Sequence, residues 1–327
     1  MRSSSARRTL PITAAPADTG AMRTLSILAT GAVAAAIAAA PAGATPLPGA
    51  PGCTVLPPGN VWNQPVDTLP RAANSARMVR AIGVGQTLHP DFSDQGRHGI
   101  PINVVGASTP RSRVRFDYAD ESDRVAYPIP SRPRIEGGSD RHLLMLDHDA
   151  CRLYELFAAR RGSNGRWSAG SGAVFDLRSN ALRPAGWTSA DAAGLPILPG
   201  LARFDEVAGA GIDHALRFTA PRTRRAYIHP ARHAASDSSD PGLPPMGLRV
   251  RLKRSVSLAG YGPQARAVLV ALRRYGMILA DNGSPWYVTG APNTGWDDDD
   301  LHALGRIRGS DLEVVDTRGL RSTALGG

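Results

Sequence analysis

Apolar residues in this chain come in short runs, and almost every run is closed by glycine, proline, asparagine or aspartate. Residues 99–105, 114–118, 142–147, 152–157, 173–177, 214–219, 226–229, 248–252, 277–280 and 286–289 follow that pattern, each four to seven residues long. Runs this short, rich in branched and aromatic residues and bounded by turn formers, predict β-strands. The sharpest local unit is HLLMLDHDACRLYELF, two apolar runs joined by the polar turn Asp147-His148-Asp149, which predicts a β-hairpin. Two stretches have helical character. One is 74–82; the other is 264–275, with Pro263 near its start and Gly276 just past its end, the asymmetry expected of helix termini. The pattern predicts a mainly β fold, an antiparallel β-sandwich or jelly roll with one or two short helices. A doubly wound α/β fold would need helices between most strands.

The N-terminal part has a different character. Residues 25–40, LSILATGAVAAAIAAA, carry no charge, follow Arg23 and lead into Ala42-Gly43-Ala44. A basic start, a short apolar middle and a small-residue end predict a secretory signal peptide over 1–44. A membrane span needs about 20 predominantly apolar residues; this run is shorter and mostly alanine, so no stable membrane anchor is expected after cleavage. Met22 offers a natural start directly before Arg23, and the mature chain would begin at Thr45. Residues 45–59 (TPLPGAPGCTVLPPG) read as a Pro/Gly linker, 60–318 as a single domain and 319–327 as a flexible tail. The expected location is secreted or periplasmic, and the expected state is a monomer.

Export changes how cysteine and charge are read. Cys53 and Cys151 are the only cysteines, and in an oxidising compartment they are most simply one disulfide closing a loop of 98 residues. The whole chain has a formal net charge of +10; residues 1–44 hold Arg2, Arg7, Arg8 and Arg23 against Asp18, which leaves +7 for the rest. A basic surface attracts anionic polymers. No Arg/Lys-rich run with interleaved aromatics points to nucleic acid, so the expected partner is an extracellular polysaccharide, beside the plainer reading of a solvated basic surface.

Several chemistries lack their motifs. There is no Gly-x-Ser-x-Gly elbow. There is also no His-Glu-x-x-His helix, no phosphate-cradling P-loop and no Gly-x-Gly-x-x-Gly after a strand. Present instead are histidines on or beside strands: His142, His214, His229 and His233. Neutral imidazoles are common metal ligands, so His229 and His233 leave a divalent metal open as cofactor, although Pro230 weakens the helical spacing between them. A second reading takes His142, His214 and Tyr227 as acid–base groups of a polysaccharide lyase, with Arg141 and Arg232 neutralising a uronate. The plain alternative is that these histidines serve structure.

A glycoside hydrolase would need two facing carboxyls, and glutamate is scarce past residue 45: Glu121, Glu136, Glu155, Glu206 and Glu313. The adjacent pair Asp205-Glu206 would point to opposite faces of a strand. The segment 178–201 is long and rich in Gly, Pro, Ser and Asn, a composition often found in functional loops. Its Trp187 either stacks on a sugar or plugs the core, and Asp191 lies close by. Asp297–Asp300 reads equally as a weak calcium-like cluster or as an N-cap.

Long phrases of the chain carry a resemblance. SGAVFDLRSNALRPAGWTSADAAGLPILPGL, DHALRFT, YIHPARH and RYGMILADNG, within a stretch from about Val61 to Asp316, resemble a family of uncharacterised secreted bacterial proteins. The resemblance implies one intact domain and no particular activity, so no catalytic residue is carried over from it. The combined expectation is a secreted carbohydrate-active protein that cleaves polysaccharide as a lyase or glycoside hydrolase. Its expected catalytic residues are His142, His214, Tyr227 and Arg141, and Trp187, Asp191, Arg232 and His233 are expected to bind substrate. The alternative is a non-catalytic carbohydrate-binding or envelope protein on the same scaffold.

Overall fold

The computed structural model describes residues 46–322. The expected signal peptide, its start at Met22, the mature terminus Thr45 and the last five residues of the expected tail lie outside the described residues. In chain order the first half contains α1 (Ser75–Ile82), β1 (His89–Asp91), β2 (Ile102–Val105), β3 (Arg111–Phe116), β4 (Ala126–Pro128), β5 (Leu143–Asp147), β6 (Arg152–Phe157), β7 (Arg160–Arg161), β8 (Trp167–Ala169) and β9 (Ser171–Asp176). The second half contains α2 (Phe204–Ala208), β10 (Leu216–Ala220), β11 (Arg249–Leu252), α3 (Pro263–Arg274), β12 (Met277–Asn282), β13 (Tyr287–Thr289), α4 (Asp298–His302) and β14 (Leu312–Val314).

The fold is mainly β, with few and short helices, as the apolar runs predict. Among the described residues three sheets form, in the orders β1-β13-β10-β12-β11-β14, β2-β5-β6-β9 and β4-β3-β8-β7. The pairing is mixed, where antiparallel pairing throughout is the expectation from sequence. β2 runs parallel to β5, β3 to β8, β10 to β12 and β1 to β13. A parallel pair requires a crossover of a dozen or more residues, and the connection from β10 to β12 carries α3 across it. The expected hairpin is present: β5 and β6 pair antiparallel from Leu143↔Leu156 to Asp147↔Arg152. The expected strand at 226–229 is only an isolated bridge between Tyr227 and Met246; Pro230 lacks the N–H that would extend a ladder.

The run Leu143–Leu146 is apolar without alternation because its sheet is covered on both faces. Side chains alternate along a strand. Leu144 and Leu146 enter the large core with Leu153, Ala173 and the helices, while Leu143 and Met145 enter a smaller core with Tyr154, Leu156, Phe116 and Trp167. Helix α1 buries Ser75, Met78, Val79 and Ile82, one face of a 3.6-residue period. Helix α3 begins at Pro263 and buries Ala265, Val268, Leu269, Ala271 and Leu272. Gly276 follows it with φ of +68°, and a Cβ there would stand 2.3 Å from the Val250 carbonyl oxygen, so glycine is required.

Residues 46–59 pack onto the domain rather than forming the expected linker. Leu47, Ala50, Cys53, Val55 and Leu56 are buried in the large core, and Cys53 is bonded to Cys151 with a Cα–Cα distance of 5.4 Å. Proline and glycine here shape turns instead of slack. Buried Arg249 ties down the following segment by donating to the carbonyl oxygens of Tyr275, Val61 and Gln64 at 2.6, 3.1 and 3.2 Å. Among the described residues no helix is long and apolar enough to cross a membrane.

Candidate functional site

The residues expected to do acid–base chemistry are not assembled into one groove. His142 is 3 % exposed and His214 is 4 % exposed, and their partners are different. His142 donates from Nε2 to the Ala190 oxygen at 3.1 Å and from Nδ1 to Glu136 at 2.5 Å. His214 donates from Nδ1 to the Ala215 oxygen at 2.8 Å and from Nε2 to Glu206 at 3.0 Å. In each ring both nitrogens face acceptors, so both hold protons and no lone pair is left for a base. Burial alone would lower their pKa values, but Glu136 and Glu206 outweigh it and raise both. Tyr227 is half-buried against the large core, and the Arg141 Nε donates to the Ala159 oxygen at 3.1 Å. His142 and His214 are thus held by separate partners, which does not bring the expected lyase constellation together.

Of the residues expected to bind substrate, Trp187, Asp191, Arg232 and His233, only His233 lines the cavity described below. Together with His142, Asp191 and His233 fix one stretch of the long loop, Ala190–Ala192. His142 holds the Ala190 oxygen, His233 Nδ1 donates to the Ala192 oxygen at 2.7 Å, and the Asp191 carboxylate is fixed by Arg217 at 2.7 and 3.0 Å. The backbone N–H groups of Arg232 and His233 add bonds to the Ala193 oxygen, and the Arg232 Nε donates to the Arg183 oxygen at 2.8 Å. Trp187 is half-buried, and Arg183 lies over its ring at 5.5 Å, so that face is not open to a sugar. His229 stands apart from metal-ligating neighbours: among the described residues no group of three or more His, Cys, Asp or Glu is placed to hold a metal ion. Asp297 caps α4, accepting from the Asp300 N–H at 3.1 Å, which answers the N-cap reading of the aspartate run.

The loop stretch held in this way forms one wall of a cavity of about 280 Å³. Thr188, Ser189, Ala190 and Ala192 come from the loop; Tyr118, Phe157 and the two carboxyl residues Glu121 and Asp281 complete the chemistry. His233 also lines it, with Nε2 3.8 Å from Glu121. Glu121 accepts from the Thr188 N–H at 2.9 Å. Tyr118 is 59 % exposed at the rim.

Asp281 reaches the cavity because of an irregularity in the sheet. Phe218 pairs with Leu279, yet Thr219 pairs with Asp281, leaving Ala280 as an extra residue in β12. The bulge turns Asp281 onto the face that carries Arg217 and Thr219. There its carboxyl is 4.0 Å from the Arg217 guanidinium and 23 % exposed. Burial, reinforced by the neighbouring Asp191 charge and only partly offset by Arg217, pushes Asp281 up to about 7. A carboxyl that keeps its proton near neutrality can donate it. Behind the wall, burial pushes Glu155 up to about 7 as well, even though the Ile197 and Leu198 N–H groups donate to it.

The sequence pointed to the loop and to His233; Asp191, expected to touch substrate, is instead buried against Arg217, and Asp281, Glu121 and Arg217 were not singled out. Asp281 closes the apolar run MILA, and a carboxylate ending a buried strand beside Asn-Gly was the available signal. Glu121 sits in the polar stretch 117–124, where nothing distinguishes one acid from its neighbours.

No protein-family model, curated protein or solved structure matches the chain significantly.

Proposed function

We propose that this is a secreted carbohydrate-active enzyme, a glycoside hydrolase that cleaves polysaccharide in the cavity between Glu121 and Asp281. The observation that carries the reading is the placement of two carboxyl side chains and two aromatic rings, Tyr118 and Phe157, around one opening of sugar-sized volume. Glycoside cleavage needs an acid for the leaving oxygen and a second carboxyl on the other side of the bond. Asp281 is suited to the first part because it retains a proton near pH 7. In the step we propose, Asp281 passes its proton to the glycosidic oxygen as the bond from that oxygen to the anomeric carbon breaks. A water oxygen bonds to the anomeric carbon and gives its proton to Glu121, and solvent restores both carboxyls. The Cys53–Cys151 disulfide supports an extracellular location.

The test is a polysaccharide panel read for new reducing ends, with Asp281→Asn and Glu121→Gln as controls. Cleavage that drops by about 10²–10⁴-fold in each variant supports the reading, since that is the usual worth of a positioned acid or base. Binding without cleavage by the wild type would assign the site to a non-catalytic carbohydrate-binding protein instead. Cleavage unchanged in both variants would move the active site elsewhere.

A further inference from the structure

We infer that the glycan taken by this cavity is uncharged, and that uronic-acid polymers are excluded from it. The inference rests on the hydrolase reading and narrows its substrate. The chain is arginine-rich: it has 38 Lys and Arg residues, of which only Lys253 is lysine. Yet none of the residues lining the cavity is Lys or Arg, and its titratable wall consists of Glu121 and Asp281 with His233 beside them.

The guanidiniums close behind the wall are already committed. Arg217 spends Nε and Nη2 on Asp191 and donates Nη1 to the Thr289 hydroxyl at 2.6 Å. Arg183 donates Nε to the Thr188 oxygen, Nη1 to Asp123 and Nη2 to the Glu121 backbone oxygen, at 2.7, 2.6 and 2.8 Å. Both are buried. A buried cation that already has its hydrogen bonds cannot turn to a substrate without leaving its own partner unpaired. A uronate carboxylate entering here would give up water, meet two carboxyl groups and, among the described residues lining the cavity, find no lysine or arginine to pair with. An uncharged sugar asks for less: a ring face for Tyr118 and Phe157 and hydroxyl contacts to the polar wall of Thr188 and Ser189. The same arrangement argues against β-elimination, which needs a positive group beside the substrate carboxylate.

The experiment measures binding by calorimetry with uncharged tetrasaccharides of glucose, xylose, mannose and galactose and with tetragalacturonate and tetramannuronate. It is run on the wild type at low temperature and on Asp281→Asn, checked for folding by thermal melt. Asp281→Asn cannot ionise at any pH and so removes whatever charge Asp281 sets against a uronate, which makes it a severe test. At least one uncharged sugar should bind about tenfold or more tighter than either uronate in both proteins. Equal or tighter uronate binding overturns the inference, as does release of unsaturated uronate by the wild type; the second result would leave an enzyme standing. Tight uncharged-sugar binding with no hydrolysis of the matching polymer would remove the hydrolase reading and keep the inference. Binding of neither class overturns both.

Discussion

Arg217 grips Asp191 through two parallel contacts, Nε to Oδ2 at 3.0 Å and Nη2 to Oδ1 at 2.7 Å, in a site where both side chains are buried. The two residues are 26 positions apart in the chain, one on β10 and the other in the long loop. Their pairing fixes the loop wall against the large sheet and leaves Asp281 at the edge of the same guanidinium. The Arg217 pKa is raised, because Asp191 outweighs the burial that would lower it. The cation is thus permanent, and what varies with pH is Asp281.

If Asp281 is the acid, activity depends on its proton. A carboxyl titrating at about 7 is protonated below that pH and ionised above it, so kcat should fall on the alkaline side as pH rises through about 7. Asp281→Asn should lose about 10²–10⁴-fold in kcat and lose the alkaline limb with it. A variant that retains the limb would assign it to another group.

Asp191 should be felt twice, in stability and in the titration of Asp281. Asp191→Asn leaves a buried guanidinium without its paired charge, a change that costs about 3–5 kcal/mol and is read by urea unfolding. It also removes the charge that helps push Asp281 up and frees Arg217 to pair with Asp281. The Asp281 carboxyl should then titrate clearly below its wild-type position, followed by carbon-detected NMR of labelled aspartate. The double variant Asp191→Leu/Arg217→Met should recover much of the lost stability, since no buried charge is left alone. A titration of Asp281 unmoved by Asp191→Asn would show that the two are not electrically coupled.

Glu155 provides a stability test that is independent of activity. It is buried in the large-core face of β6 and held near 7, against about 4.3 for an unfolded glutamate. Between those values the folded chain holds one more proton than the unfolded chain, so stability falls as pH rises. The contribution is present in full below the unfolded value and is lost on passing through about 7, at up to about 1.4 kcal/mol per pH unit. The raised values of His142 and His214 act in the same direction at higher pH. Glu155→Gln keeps an acceptor for the Ile197 and Leu198 N–H groups and cannot titrate. Its unfolding free energy should be less dependent on pH between 5 and 8 than that of the wild type; an equal slope would remove Glu155 as a source.

How much of this was legible in the sequence follows from range. The hairpin β5–β6, helix α3 with Pro263 and Gly276 at its ends, and the strand at 152–157 are written in local pattern and lie where the pattern puts them to within a residue, while the strand expected at 277–280 runs on to Asn282. The short strands β1, β4, β7, β8 and β14 have two or three residues each, too few for a period to show. The parallel pairs depend on crossovers, which no strand announces in its own residues. The site suffers most: Glu121, Asp191, Arg217 and Asp281 come from four separate segments, and a β-bulge decides that Asp281 faces the cavity at all. Histidine stands out in a sequence because it is rare and versatile, yet His142 and His214 are doubly donating struts.

The Cys53–Cys151 bond was legible because two cysteines behind an expected export signal pair most simply with each other, and its position now says what it should do. It fastens the turn-rich segment 46–59 to the end of the β5–β6 hairpin, and both sulfur atoms are in the large core. Closing a loop of 98 residues limits the unfolded chain, worth about 4.7 kcal/mol by loop entropy and typically about 2–5 kcal/mol when a native bond is removed. Cys53→Ala/Cys151→Ala should lower the urea midpoint accordingly. Adding reductant to the wild type should bring it close to the variant, while the variant should not respond to reductant. The loss should also fall unevenly: amide exchange should quicken first in residues 46–59, because the disulfide and the Leu47, Ala50 and Val55 contacts are what hold that segment down. Exchange that quickens uniformly across the large core would mean instead that the segment and the core unfold as one unit.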